Sequence, residues 1–159
     1  SSFGLPIVVT RSTNVIGVGQ DLEKFVPLCV EKILRDEMIQ IHSRGGIPAS
    51  RKYIDVDDVC SATLTTLQKS GTIQGRGTGY INIASDQEYG NLDVVARLGE
   101  LLQKTPRWQL VEDPPNRPRP DLRYDLANQR LKDLGWSQRV SLEESLRRIV
   151  KERVSRGDL

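Results

Sequence analysis

The chain has 159 residues, 37% hydrophobic and 28% charged, and its 23 basic side chains are offset by 21 acidic ones to leave a net charge of +2. That length suits one domain-sized core, and so even a charge balance excludes a polycation built to track a nucleic-acid backbone. A single histidine, His42, and two cysteines, Cys29 and Cys60, exclude zinc sites made from several His or Cys ligands, a disulfide framework, and any triad using a second imidazole. No metal site is expected. Both cysteines read as buried thiols in a reducing compartment. No apolar run is long enough to cross a bilayer, which makes the cytoplasm the expected location.

Residues 7–10 form a continuous run rich in β-branched side chains, which predicts a strand covered on both faces. It stands at the very start, and Met38 is the sole methionine, so we expect partner strands upstream of Ser1. Residues 23–35 predict an amphipathic helix carrying Phe25, Leu28, Cys29, Lys32 and Ile33 on one face, with Glu23 near its start and Pro27 in its first turns. A short strand at 38–41 is followed by a loop at 43–50, where glycines and a proline break any periodicity. From Asp57 or Asp58 to about Lys69 a second helix is predicted, with Val59, Cys60, Leu64 and Leu67 on one side and a stop at Ser70-Gly71.

A strand at 80–83 leads to a third helix capped by Asn91 and carrying Val94, Val95, Leu98, Leu101 and Leu102. A strand at 108–111 follows, then a Pro-rich stretch, then a short helix at 126–134 ended by Gly135. Ser141 with Glu144 forms a capping box that opens the last helix. Such alternation predicts an α/β unit with one sheet edge left open. Gly71, Gly75, Gly77 and Gly79 precede a strand instead of joining a strand to a helix, so they read as a turn and not as a phosphate-cradling loop.

The candidate chemistry lies in four places. Residues 113–124 set Arg117, Arg119 and Arg123 among four prolines, a stiff segment that projects guanidinium groups suited to phosphate. Arg51 ends a loop just before a strand and an acid-capped helix, and two arginines from separate loops match a diphosphate. Asn14 lies past the first strand's carboxyl end, the edge where α/β sheets hold ligands. Asn91 marks a helix start. Each has an alternative: a solvated connector for 113–124, an ion pair with Asp55 or Asp57 for Arg51, and turn or cap duty for the two asparagines.

The order of the pieces resembles the carboxyl half of the extended short-chain dehydrogenase/reductases, the NAD-dependent epimerase/dehydratase family, and most closely its dTDP-glucose 4,6-dehydratases. Gly4-Leu5-Pro6, Arg11 to Gly17 and Leu22-Glu23-Lys24-Phe25-Val26-Pro27 follow the family's sequence of motifs. So do the Arg51 to Asp58 run, the Tyr80 to Asp93 stretch, Arg117-Pro118 and Leu134-Gly135-Trp136. The resemblance implies an α/β fold: the last strands of a Rossmann-type sheet plus a small mixed α/β substrate-binding domain, with residues 1–159 forming one portion and an NAD-binding portion lying outside it. It implies that Arg51, Asn91 and Arg117 contact the diphosphate of a dTDP- or UDP-linked sugar, with Lys24 near the sugar nucleotide and Asn14 near NAD. A homodimer is implied for the intact protein, and no nucleic-acid or membrane partner.

The chain departs from the family at Thr13, at Ile16-Gly17-Val18 and in a longer loop at 43–50, which leaves dehydratase, epimerase and decarboxylase chemistries open. None of Tyr53, Tyr80, Tyr89 or Tyr124 has Lys four residues later, so the family's Tyr-x-x-x-Lys pair is not in this sequence. Nor is a Gly-rich turn between a strand and a helix, so no catalytic residue is assigned here. The alternative reading is a noncatalytic interaction protein that retains the fold.

Overall fold

The computed structural model describes residues 7–74, 79–112 and 122–156. The chain opens with β1 (Val9–Ser12) and β2 (Asn14–Ile16), then α1 (Phe25–Leu34) and β3 (Ile39–Arg44). Three short strands follow, β4 (Ile47–Pro48), β5 (Ser50–Arg51) and β6 (Tyr53–Asp55), leading into α2 (Val56–Gln68) and α3 (Ser70–Gln74). Next come β7 (Tyr80–Ile83), β8 (Tyr89–Gly90), α4 (Asn91–Leu102), β9 (Trp108–Glu112) and β10 (Arg123–Tyr124). The last elements are α5 (Gln129–Lys132) and α6 (Leu142–Arg156).

Only Thr13 separates β1 from β2, so one extended run pairs in parallel first with β7 and then with β6. β3 lies between antiparallel β4 and parallel β9, while β5 lies between parallel β10 and antiparallel β8. Residues 43–50, expected as a loop, instead contribute a hairpin. Gly45 and Gly46 turn it at φ of 57° and 75°, and both donate their N–H groups to the Glu112 carboxylate. Those bonds hold Glu112 below the usual carboxylate range, Gly46 contributing most.

The first core is built by α1, α4, α6 and β3 around Val30, Ile41, Leu98 and Leu146. Burying a side chain of this size stabilises by about 1.5–3 kcal/mol. α1 begins at Phe25, later than expected: Asp21 accepts from the Glu23 N–H at 2.9 Å and holds the preceding turn. Its inner face is Val26, Pro27, Cys29, Val30 and Ile33, leaving Leu28 partly exposed, so the helix is rotated from the expected face. In α4, Gly90 and not Asn91 is the N-cap, and Asp93 reaches back to the Gly90 N–H at 3.2 Å. Ser141 opens α6 as expected, its Oγ accepting from Glu144 N–H at 3.2 Å.

A second core gathers Ile54, Ile73, Ile81, Leu131 and Trp136. α2 starts at Val56, capped by Asp55, and ends at Gln68 with Lys69 as its C-cap, as expected, and a separate short helix, α3, follows from Ser70. Its buried positions are Asp58, Ala62 and Thr66, whereas Leu64 is 58% and Leu67 70% exposed. Polar anchors set this rotation against the apolar pattern. The Asp58 carboxylate accepts from the backbone N–H groups of Arg139 at 3.0 Å and Val140 at 2.9 Å, and Trp136 Nε1 donates to Ser61 Oγ at 2.9 Å. Cys60 is exposed with that face, so only Cys29 is the buried thiol expected of both. β1 likewise differs from a strand covered on both faces. All four residues are exposed, because among the described residues its only ladder partner is β7.

Candidate functional site

Parallel pairing of β2 with β6 sets Asn14 directly beside Tyr53. The two residues form part of a cleft of about 260 Å³ shared with Ile16, Gln20, Lys24 and Phe25. Tyr53 is its buried floor. Gly17, at the β2 end, is required by close packing: a Cβ there would lie 2.6 Å from Val56 Cγ1. Lys24 is the N-cap of α1, whose first turn carries no acidic side chain. The positive end of that helix and the exposed Lys24 ammonium therefore present to one opening.

The Tyr53 hydroxyl leads away from the cleft floor to α4, where it donates to Asn91 Oδ1 at 2.8 Å. Burial holds the Tyr53 phenol above its ordinary range, the neighbouring Cys29 adds to this, and the positive charge of Arg51 opposes it. Cys29 itself is pushed up to about 12 by burial, against the pull of Lys32. Neither group ionises near neutral pH, so this floor is neutral and serves as packing and as a hydrogen-bond donor.

Arg51 is half-buried on β5. Its Nη1 donates to the carbonyls of Ser50 at 2.7 Å and Leu122 at 3.0 Å, and the alternative pairing with Asp55 or Asp57 is not formed. Those carboxylates have other partners. Asp55 accepts from the Ser145 hydroxyl and the Asp57 N–H, and Asp57 pairs with Arg148 at 3.0 Å. Arg51 instead ties β5 to the chain entering β10, where Lys52 pairs with Asp125 at 2.6 Å and Arg123 with Glu88 at 2.6 Å. Arg117 and Arg119 lie outside the described residues.

Asn14, Lys24 and Asn91 are thus brought together around one phenol, with the charge of Arg51 close by. Sequence reading missed Tyr53 and Gln20 as parts of this site. Tyr53 was weighed only as a catalytic base; its place here is set by the register of β6 against β2, a long-range pairing with no local sequence signal. Among the described residues no group of three or more His, Cys, Asp or Glu could hold a metal ion. No helix among them is long and apolar enough to cross a membrane.

The parallel strands and packed helices define a Rossmann-type α/β chain. The profile of the NAD dependent epimerase/dehydratase family matches residues 1–93, and the chain belongs to that family. It is 34% identical over 149 residues to the trifunctional UDP-glucose 4,6-dehydratase/UDP-4-keto-6-deoxy-D-glucose 3,5-epimerase/UDP-4-keto-L-rhamnose-reductase of Arabidopsis thaliana, covering 94% of this chain and 21% of that protein. With dTDP-glucose 4,6-dehydratase of Haemophilus influenzae it shares 30% identity over 165 residues, 94% of this chain and 45% of that one. The dTDP-glucose 4,6-dehydratase of Bacillus anthracis, solved in complex with NAD, superposes with a TM-score of 0.81 at 28% identity, covering 97% of this chain and 46% of that one. The chain therefore spans between a fifth and a half of the length of these relatives.

Proposed function

We propose that this chain is the substrate-binding portion of an NAD-dependent nucleotide-sugar 4,6-dehydratase or epimerase and holds the diphosphate of a dTDP- or UDP-linked sugar. The observation that carries this reading is the gathering of Asn14, Lys24 and Asn91, from three separate segments, around Tyr53. Lys24 and the α1 N-terminus supply positive potential at the opening, the Asn91 amide supplies a neutral donor, and Arg51 adds a guanidinium at the β5 end. Arg117 is assigned the second guanidinium on the family resemblance.

The chemistry that NAD would supply is acceptance of a hydride from the sugar. Asn14, exposed beside the cleft, is the residue of this chain assigned to contact it, its amide able both to donate and to accept. The dinucleotide otherwise falls to a portion carrying the Gly-rich turn and the Tyr-x-x-x-Lys pair. The exposed apolar residues near β1 support that division. Ile7, Val8, Thr10, Thr66 and Leu67 border a hollow of about 670 Å³ between the β1 segment and α2, and Ile7, Val9 and Leu67 are exposed, as expected of a strand that takes further partners.

Calorimetric titration with UDP and dTDP tests the binding reading. Micromolar to low millimolar binding is expected for the wild type, with Lys24→Ala and Arg51→Ala each weakening it by about three- to tenfold. Absence of binding, or binding unmoved by both substitutions, removes the assignment.

A further inference from the structure

We infer that Tyr53 is a positioning residue that fixes the amide of Asn91, so that its Nδ2 and not its Oδ1 faces the ligand. This deepens the diphosphate-site reading above and rests on it. A primary amide has an acceptor end and a donor end of nearly equal shape, and rotation about its last bond exchanges them at little cost. An asparagine beside an anion is useful in only one of those orientations. Here the Tyr53 hydroxyl, 2.8 Å from Asn91 Oδ1, occupies the acceptor end. The other end is left to donate.

Two features make the phenol a dependable donor. Its ring is 3% exposed and is held in the first core, so the hydroxyl does not wander. Burial holds the phenol above its ordinary range, which favours the protonated form that can donate. Asn91 is fixed as well. As the first residue of α4 it donates its backbone N–H to Ala49 O at 3.0 Å, so only the side chain remains to be oriented. The ring of the same phenol floors the cleft that Asn14 and Lys24 border, so Asn91 is tied through one side chain to that cleft's wall.

The test is a double-substitution cycle read by calorimetry with UDP and dTDP as probes. Tyr53→Phe keeps the ring and removes only the hydroxyl. It is expected to weaken binding about three- to tenfold in the wild-type background and to have no effect in the Asn91→Ala background. Equal affinity in Tyr53→Phe, or the same loss with Asn91 already gone, overturns the inference. Where the wild type binds neither probe, the diphosphate-site reading fails on its own, and the inference is then judged by ¹⁵N NMR of the side-chain amides. Tyr53→Phe should shift the Asn91 NH₂ pair while leaving those of Asn14 and Asn82 in place, and an unmoved Asn91 pair overturns it. Should Tyr53→Phe fail to fold, Asn91→Asp replaces it. The carboxylate keeps the phenol's acceptor but has no donor to offer, so binding should weaken more than in Asn91→Ala, and an equal or smaller loss overturns the inference.

Discussion

The side of the molecule built on α1, α4 and α6 and the side built on β1 and α2 treat their apolar residues in opposite ways. Around Leu98 and Leu146 the aliphatic side chains are enclosed by three helices and a strand, whereas Ile7, Leu64 and Leu67 stand in the open. The difference is not one of composition alone, since α2 also carries leucines and valines, Val59, Leu64 and Leu67 among them. Burial follows the partners available, and α2 is turned inward by Asp58, which has backbone donors to satisfy, and not by its leucines.

The largest expected effect tests the enclosed side. Leu98→Ala removes a fully buried side chain from the first core and should cost about 2–5 kcal/mol, read from urea unfolding. A loss under about 1 kcal/mol would mean that core is not close-packed. Next comes the joint between the sides. Asp58→Asn keeps the volume but sets an NH₂ group against the Val140 or Arg139 N–H, and a loss of about 1–3 kcal/mol is expected. The smallest effects belong to the open side, where Leu67→Ala should alter stability by no more than about 0.5 kcal/mol. The two thiols report the same contrast without mutation. A thiol reagent should modify exposed Cys60 in the native protein and reach Cys29 only on unfolding. Prompt reaction at Cys29, or a protected Cys60, would erase the distinction drawn here.

Part of this architecture was legible where a local signal and the tertiary contacts agree. Ser141 opened the last helix where expected, and the strand at Tyr80–Ile83 lies where its residues put it. What could not be read were choices made by distant residues. The rotation of α2 depends on a carboxylate reaching two N–H groups some eighty positions away. The 43–50 hairpin depends on Glu112, far along the chain, accepting from both turn glycines. Among the candidate site residues, Asn14 was named from its place past the first strand and Lys24 from motif order, and the two border one cleft. Asn91 was named as a cap, a duty that Gly90 performs, and this frees its side chain for Tyr53.

The run from Val9 to Ile16 changes neighbour at Thr13, and this gives Asn14 an unusual dependency. Strand side chains alternate between faces, so a slip of one residue against Tyr53 would replace the Asn14 amide with the hydroxyl of Thr13 or the isopropyl group of Val15. The four rungs shared with β7 act as a ruler for the three rungs shared with β6. Mis-seating the exposed front half of that strand would therefore exchange the chemical character of the pocket wall without touching a single pocket residue.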